Sequence, residues 1–361
     1  MPSLTVYPLL ATPAATAILC LFARPIANWL QVFDYPRGGR KAHASPTPQM
    51  GGLAILLPLI GWLGAELALG THEPLYLALL LCGAGVGLVG IMDDQSHLSA
   101  TGRLLVLSVF TLIVFALDPR LAPVAIPWVT FGPVAISAPL FIAGGVLATA
   151  GFVSSVNMAD GIDGLVPAAF VIWCVGFDIF ADGAVREAAL ALTGPAVVLL
   201  VFNLRGAIFL GDCGTFGVGF VVAVLALASL RSGRLQAETL LVWFFLPVVD
   251  CLRVIAVRLL KGRSPFRGGK DHFHHILADA FGNRRAFYVY TAAILLTSAL
   301  AALVPGSSPY ILVALTAACL GFVAARRAID RRQRLAAPER AGPRSVADAA
   351  AWRRPLLRKS R

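Results

Sequence analysis

Long apolar runs divide the chain, and short polar segments separate them. A window of about twenty residues, the length that crosses the hydrocarbon core of a bilayer, marks about eleven such runs. This pattern predicts an all-α polytopic membrane protein with about eleven transmembrane helices. The predicted spans are 5–23, 51–69, 74–91, 103–118, 138–156, 162–180, 187–203, 214–230, 238–258, 286–305 and 309–326.

Composition supports this interpretation. With 58% hydrophobic residues, 14% charged residues and a mean hydropathy of +0.79, the chain lies outside the range of soluble globular proteins. The first run lacks the basic flank of a cleavable signal peptide, so we expect a permanent span there. The six cysteines have no CxxC spacing and indicate neither a disulfide framework nor a zinc site. Between the fourth and fifth spans, Pro and Gly between β-prone residues in 124–137 predict a small hairpin.

The distribution of Lys and Arg predicts the orientation. Outside the C-terminal tail, one set of connections carries thirteen of these residues and the alternate set carries four. The positive-inside rule places the rich side in the cytoplasm, with the N-terminus periplasmic and the C-terminus cytoplasmic. We expect residues 1–327 to form a single integral-membrane domain and 328–361 to be a basic, flexible tail near anionic headgroups. Much of the +11 net charge lies in this tail, so we expect no nucleic-acid partner.

The dense polar segments all fall on the predicted cytoplasmic side, whereas the outer connections are short. An active site in a cytoplasmic-face cleft, built from several loops, is the simplest interpretation. Charged residues at helix ends also serve as anchors or caps, and Asp160 and Asp163 could simply cap the sixth span. The polar segments are 40–52, 92–103, 157–165, 202–217 and 261–277.

Adjacent carboxylates in the second of these segments indicate a cation. Asp93 and Asp94 end a helix, where negative charge is unfavourable, and no basic residue follows before Arg103. A divalent metal such as Mg²⁺ fits, because it takes one or two carboxylates, keeps several waters and bridges to phosphate. In "GDCGTFG", Asp212 adds a third acid beside a helix N-terminus that favours an anion.

The loop 261–277 is the most cationic part of the core. Arg263 lies in it together with three imidazoles within four residues, and this chemistry suits a pyrophosphate and a sugar. A zinc site is the alternative, but no cysteine lies nearby. Asp250, inside the ninth span, could act on the site through other residues or simply pair with Arg253 three residues later.

Five motifs in this order give the chain a family resemblance. They are R-K-x-H-x-x-P-T-P-x-x-G-G, D-D, N-M-x-D-G-I-D-G-L, N-x-x-x-A-I-F-x-G-D-x-G-[ST] and G-x-S-P-F…D-H-x-H-H. The chain resembles the polyprenyl-phosphate N-acetylhexosamine-1-phosphate transferase superfamily, from about residue 5 to 326. The H-x-H-H pattern is similar to the WecA-like branch.

The resemblance implies a reaction and a set of roles. The reaction transfers a HexNAc-1-phosphate, most simply GlcNAc-1-phosphate, from a UDP-sugar to undecaprenyl phosphate with release of UMP, which initiates an envelope polysaccharide such as O-antigen or common antigen. It implies Mg²⁺, with Mn²⁺ as an alternative. The implied catalytic and metal-binding residues are Asp93, Asp94 and Asp212; the implied nucleotide-binding residues are Asn157, Asp160, Asp163, Asn203 and Phe209; the implied diphosphate- and sugar-binding residues are Arg263, His272, His274, His275, Arg40, Lys41 and His43.

Other functions stay open from the sequence. A phospho-MurNAc-pentapeptide transferase of peptidoglycan synthesis is the enzymatic alternative. A CDP-alcohol phosphotransferase fits less well, because "DGIDGL" lacks the following Ala-Arg. A transporter would place ionisable groups along a path near the bilayer midplane, whereas here they collect on one face. We expect a multi-pass protein of the bacterial inner membrane, in contact with membrane lipids and able to form a homodimer.

Overall fold

The computed structural model describes residues 6–35, 45–122, 125–130, 132–264, 269 and 271–336, and these residues are mostly helical. The helices are α1 (Val6–Leu21), α2 (Ala23–Leu30), α3 (Gly51–Ala68), α4 (Pro74–Ala78), α5 (Ala84–Ser96), α6 (Ala100–Leu117), α7 (Ala138–Ala159), α8 (Leu165–Phe180), α9 (Gly183–Leu204), α10 (Gly219–Ser232), α11 (Ala237–Trp243), α12 (Phe245–Leu260), α13 (Phe273–Phe281), α14 (Asn283–Leu303) and α15 (Ser308–Ala336). A π-helical segment, Leu79–Gly83, joins α4 to α5, and a second, Cys213–Val218, leads into α10.

Each predicted span coincides with a helix or with a bent pair of helices. Among the described residues, eight helices are long and apolar enough to cross a membrane. Two bent pairs, α1 with α2 and α11 with α12, raise this number to ten, and α8 is a shorter apolar helix of 16 residues. The polytopic all-α class is therefore confirmed, whereas the count of eleven and the sidedness of the termini stay predictions.

A short 3-10 helix, Pro119–Leu121, and two small antiparallel strand pairs are also present among the described residues. Strand β1 (Phe33–Asp34) pairs with β2 (Thr47–Pro48), and β3 (Ala125–Ile126) pairs with β4 (Val134–Ala135). The second pair confirms the hairpin predicted between the fourth and fifth spans. Buried Glu238 fastens it, since its carboxylate accepts from the amides of Val129 at 2.6 Å and Thr130 at 3.1 Å.

The central helix is the run Cys213–Ser232, which is almost completely buried. Its π-helical start packs against α3, α5 and α7, and α10 packs against α7, α8 and α9. Gly, Ala and Val dominate this run, so neighbouring helices can approach closely. Asp212 precedes the run, and its carboxylate is therefore placed at the end of the innermost helix.

The bend between α11 and α12 was not predicted, because residues 238–258 read as one apolar run. The two helices diverge by 72°. Pro247 has no amide hydrogen to give to the carbonyl of Trp243, four residues earlier, and this interrupts the helical ladder. The indole of Trp173 donates to that carbonyl at 2.9 Å, and the indole of Trp243 donates to the carbonyl of Ser298 at 3.2 Å. The bend is thus held by its neighbours.

Polar contacts collect at the two ends of the helices. At one end, the connection after α9 meets β2 and α3, with the Gly51 amide donating to the Phe209 carbonyl at 2.9 Å and the Phe209 amide to the Pro48 carbonyl at 2.8 Å. At the other end, Arg120 pairs with buried Asp118 at 2.7 Å and with Glu73 at 2.6 Å. Polar contacts are thus found at both ends, and the placement of the dense polar segments on the cytoplasmic side stays a prediction.

The chain divides into two compact units, Met1–Leu315 and Thr316–Arg361. In the second unit, the described part consists of later turns of α15. Residues of the basic tail from 337 onward lie outside the described residues. The predicted boundary at residue 327 and the flexible character of the tail stay predictions.

Candidate active site

The acidic motif of α5 contacts the start of the central helix. Both oxygens of Asp94 accept backbone hydrogen bonds, from the amide of Asp212 at 2.9 Å and from the amide of Cys213 at 3.2 Å. A carboxylate that accepts charge-assisted bonds from consecutive amides is held in one orientation. Two motifs that lie more than a hundred residues apart in sequence therefore form one unit.

A glycine allows this approach. A Cβ atom on Gly90 would lie 2.5 Å from the Asp212 carbonyl oxygen and from the Cys213 Cα atom. Real Cβ atoms do not come this close to backbone, so α5 can contact residues 212–213 only because position 90 has no side chain. Gly90 lies one helical turn before Asp94 and on the same face of α5.

Asp212 is linked to the motif that ends α7. The side-chain amide of Asn157 donates to Asp212 Oδ1 at 2.6 Å and to Thr215 Oγ1 at 2.9 Å. Burial, then the charge of Asp94, then a hydrogen bond with Asp93 and its charge raise the pKa of Asp212 to about 8, although the bond from Asn157 opposes this. Such an accumulation of carboxylates needs a proton or a cation to neutralise it.

Asp93 forms an ion pair. It is completely buried, and its carboxylate lies 2.8 Å from Arg103 Nε and 2.9 Å from Arg103 Nη2. The amide of Leu98 also donates to it at 2.5 Å. Arg103 thus neutralises Asp93, and the adjacent Asp94 faces the backbone of residues 212–213 instead.

Asp160 and Asp163 are exposed in the connection between α7 and α8. The capping alternative is wrong, because α8 begins after Gly164, which has φ +83°, and no side chain caps it. Confinement in the cleft, Asp163 and Asp94 all raise the pKa of Asp160.

The histidine motif lies beside this connection. A Cβ atom on Gly161 would lie 2.3 Å from His274 Nε2 and 3.1 Å from His275 Cε1. The rings of His274 and His275 have centroids 4.2 Å apart. The structure therefore brings the D-G-I-D-G and H-x-H-H motifs together, as the resemblance implied.

His272 and His274 are both buried, and their rings stack with centroids 5.7 Å apart. Burial, then the neighbouring His275 and His272, lower the pKa of His274 to about 3. Neither ring nitrogen of His274 has a hydrogen-bond partner within the described part of the chain. His274 is therefore a neutral imidazole with a donor and an acceptor available to a ligand. His272 Nδ1 instead faces Asp250 Oδ2 at 3.0 Å.

Both polar atoms of the Asn203 side chain form hydrogen bonds with the backbone. It is buried, its Oδ1 accepts from the Gly164 amide at 2.5 Å, and its Nδ2 donates to the Ile208 carbonyl at 2.8 Å. Asn203 therefore ties the connection after α7 to the one after α9. Phe209 is half-buried. The nucleotide contacts of both residues stay predictions.

The remaining candidates lie on connections. Arg263 is exposed after α12, and its amide donates to the Arg258 carbonyl at 2.8 Å. Arg40, Lys41 and His43 lie outside the described residues. Their predicted contacts with the diphosphate and sugar are not tested by the structure.

The donor set suits a hard cation without forming a complete cage. Oxygen ligands converge from Asp94, Asp212 and Thr215, and nearby Asp93 adds a carboxylate. No cluster of three or more His, Cys, Asp or Glu side chains within the described ranges has the geometry to hold a metal by itself. Mg²⁺ does not require one, because it keeps waters and binds through one or two carboxylates plus substrate phosphate.

Sequence reasoning missed some contributions to this site. Gly90 lies inside an apolar run and carries no polar signal, so its role depends on a tertiary contact. Thr215 was part of a quoted motif, but its bond with Asn157 could not be read from spacing. The spacing of Asp250 and Arg253 predicts their ion pair, which the structure contains at 2.7 Å, whereas the contact of Asp250 with His272 depends on the fold.

Comparison with known proteins finds similar sequences that include the region of these site residues. Residues 76–230 match the model of glycosyl transferase family 4. The decaprenyl-phosphate N-acetylglucosaminephosphotransferase of Mycobacterium leprae (strain TN) is 28% identical over 297 residues, covering 72% of this chain and 74% of the relative. The undecaprenyl-phosphate alpha-N-acetylglucosaminyl 1-phosphate transferase of Escherichia coli (strain K12) is 28% identical over 309 residues, covering 78% of this chain and 79% of the relative. The enzyme of the same name from Salmonella typhi is 28% identical over 297 residues, covering 77% and 78%.

These relatives and the family model agree with the motifs that the structure brings together. The resemblance inferred from those motifs is confirmed: the chain is similar to glycosyl transferase family 4 over residues 76–230 and to polyprenyl-phosphate N-acetylglucosamine-1-phosphate transferases of the WecA-like branch.

Proposed function

We propose that this protein transfers GlcNAc-1-phosphate from UDP-GlcNAc to a polyprenyl phosphate, undecaprenyl phosphate in the first instance, and releases UMP. The observation that carries the proposal is the junction of Asp94, Asp212 and Asn157 beside the histidine motif at one end of the helices. The names of the relatives supply the acceptor lipid and the sugar. The setting that we propose is the bacterial inner membrane, where the product would initiate an envelope polysaccharide.

The chemistry exchanges one phosphoanhydride for another. An oxygen of the lipid phosphate attacks the β-phosphorus of UDP-GlcNAc, and the bond from that phosphorus to the bridging oxygen breaks, so the electron pair leaves with UMP. The lipid phosphate is largely ionised near neutral pH, so a strong general base is not required. The main barrier is repulsion between two anions, which positive charge and fixed donors reduce.

The residues then divide this work. Asp212 and Asp94 would hold Mg²⁺, with Asp93 supporting them; the metal supplies charge neutralisation at the phosphates. Asn157 orients the Asp212 carboxylate through its 2.6 Å hydrogen bond. Neutral His274, beside Gly161, offers a hydrogen bond to the diphosphate or sugar without adding charge. Asp160 and Asp163, which are exposed, would accept from the uracil N–H.

The test is a reconstituted reaction. Purified protein is incubated with undecaprenyl phosphate, Mg²⁺ and, separately, UDP-GlcNAc, UDP-GalNAc or UDP-MurNAc-pentapeptide, and UMP is measured. We expect UMP with UDP-GlcNAc. Turnover with the pentapeptide donor alone would favour the peptidoglycan enzyme, and uptake of intact UDP-sugar into proteoliposomes without UMP would favour a transporter. A folded preparation that releases no UMP from any UDP-HexNAc would refute the proposal.

A pair of aspartate variants sharpens this test. Asp212→Asn should abolish metal-dependent turnover while the protein stays folded, since the amide cannot replace the carboxylate as a ligand. Asp178→Asn is the matched control, because Asp178 forms its own pair with Arg186 at 3.2 Å, away from the site. Equal loss in both variants, or full activity in Asp212→Asn, would contradict the assignment of Asp212.

A further inference from the structure

One buried carboxylate inside α12 faces the histidine motif. Asp250 is only 7% exposed and accepts three kinds of hydrogen bond: from Arg253 at 2.7 Å, from His272 Nδ1 at 3.0 Å and from the amide of Phe273 at 2.9 Å. A carboxylate within an apolar span is costly unless it is paired. Apart from the local pair with Arg253, the contacts of Asp250 are both with the short segment 272–273. The pair with Arg253 alone does not explain these contacts.

These contacts fix the start of α13. His272 is the residue that precedes α13, and its side chain does not cap the helix. Asp250 takes that role from another helix by accepting from the first amide of α13. Arg253 also donates to the carbonyl of Asp271, and Arg258 lies 3.7 Å from the Asp271 carboxylate. Side chains of α12 therefore hold the backbone on both sides of His272.

The same carboxylate sets the tautomer of His272. An ionised carboxylate can only accept a hydrogen bond, so Nδ1 must carry the proton that it shares with Asp250 Oδ2. Nε2 is then the nitrogen that remains for a ligand. The stacking of His272 on His274, whose own Nε2 lies against Gly161, places the two rings side by side in the candidate site.

We propose that Asp250 is a positioning residue for the transfer reaction. It holds His272 with the proton on Nδ1 and, with Arg253, fixes the start of α13, so that His272 Nε2 faces the diphosphate or sugar of the donor. This inference rests on the proposed function, because that function supplies the UDP-sugar that His272 would contact. Partners that orient metal-ligating histidines change affinity or activity about 10- to 100-fold when they are mutated, and we expect an effect of the same order for His272.

A double-mutant cycle tests the coupling. Asp250→Asn should lower kcat/KM by about 10- to 100-fold, with the KM for the UDP-sugar rising more than the KM for the lipid phosphate, and Asp250→Glu should recover part of the loss. In a His272→Gln background, Asp250→Asn should cost clearly less than in the native protein, because the His272 ring is absent and only the bonds to Arg253 and to the Phe273 amide remain to be lost. Losses that multiply independently would overturn the inference, since a purely structural role of Asp250 does not depend on the His272 ring.

One further variant separates the position of the His272 side chain from its contact with substrate. The side-chain amide of His272→Asn can occupy the place of Nδ1 and keep the bond to Asp250 while lacking Nε2. We expect His272→Asn to be as stable as the native protein but nearly inactive. Full activity of His272→Asn would refute the role of Nε2. If Asp250→Asn does not fold, the same cycle is run with Asp250→Glu, and Asp178→Asn again serves as the control.

A spectroscopic measurement distinguishes failure of this inference from failure of the proposed function. In ¹⁵N-histidine-labelled protein, solid-state NMR should show an Nδ1–H tautomer signal that is lost in His272→Gln and shifted in Asp250→Asn. If the native protein releases no UMP but shows this signal, the proposed function fails while the pairing stands. If the native protein is active and the signal is missing or unchanged in Asp250→Asn, the positioning role fails.

Discussion

Gly90→Ala should uncouple α5 from the central helix. The new Cβ atom would lie 2.5 Å from the Asp212 carbonyl, whereas ordinary van der Waals contact begins at 3.4 Å. The two backbones must therefore separate by about 0.9 Å, since neither atom belongs to a flexible side chain. Asp94 lies one turn later on the same face of α5, so its carboxylate must move away with the helix.

The displacement sets the size of the effect. The bonds from Asp94 to the amides of Asp212 and Cys213 measure 2.9 and 3.2 Å, and an added ~0.9 Å takes both beyond hydrogen-bonding distance. Each bond to a charged group contributes about 1.5–3 kcal/mol to stability. A misplacement of about 1 Å in an active site can cost about 10²-fold in rate. We therefore expect a kcat/KM about 10²-fold lower, with a measurably lower Tm.

The assay measures UMP release for Gly90→Ala and for a matched control, Gly151→Ala. Gly151 lies in α7, and a Cβ atom there meets nothing within 4 Å. The control should retain native kcat/KM and gain up to about 1 kcal/mol from helix propensity. A folded Gly90→Ala protein with native kcat/KM and Tm would refute the argument that this close approach positions Asp94 and Asp212.

Other predictions follow from single contacts. Because burial and neighbouring carboxylates raise the pKa of Asp212 to about 8, Mg²⁺ must displace a proton, so the apparent Mg²⁺ affinity of the native protein in the UMP assay should rise from pH 6 to pH 8; a flat profile would contradict this. In metal-free protein, Asp212 in the native state holds its proton up to about pH 8, whereas in the unfolded chain it loses the proton near pH 4. The Tm should therefore fall as the pH rises from about 4 toward 8. Asn203→Ala should lower the Tm by removing its bonds to Gly164 and Ile208, and a change in donor KM without loss of stability would instead indicate nucleotide contact. A cysteine introduced at Ser307 should react with a membrane-impermeant maleimide from outside the cell, and labelling only after lysis would reverse the predicted orientation.

The helices could be predicted well because the requirement for a span is local. About twenty apolar residues are needed to cross a bilayer, and this depends on composition alone. The bend at Trp243 shows where this reasoning stops: Pro247 is visible in the sequence, but the two indole bonds that hold the bend come from α8 and from Trp243 itself. A proline signals that a helix can bend, whereas the tertiary contacts decide that it does.

The candidate site was predictable as a set of residues but not as a set of contacts. The motifs indicate Asp93, Asp94 and Asp212 as acids of the site, and the resemblance implies Asp212 as the first metal ligand, but neither gives their partners. The fold gives each of them a different partner: a guanidinium, a pair of backbone amides and a side-chain amide. Which partner each carboxylate meets depends on how closely distant segments pack against one another. The spacing of motifs along the chain does not contain this information.

These different partners rank the three acids as metal ligands. Asp93 already has Arg103 as its counterion, so a metal there would compete with a protein cation. Asp94 has its orientation fixed by two amides but keeps a lone pair on each oxygen. Asp212 contacts a neutral amide and two like charges, which make it keep a proton up to about pH 8, so a cation that replaces this proton relieves the most repulsion there. Mg²⁺ should therefore bind first to Asp212. Asp94 should contribute as much by holding the backbone of residues 212–213, and with it the Asp212 carboxylate, as by offering its own oxygens to the metal.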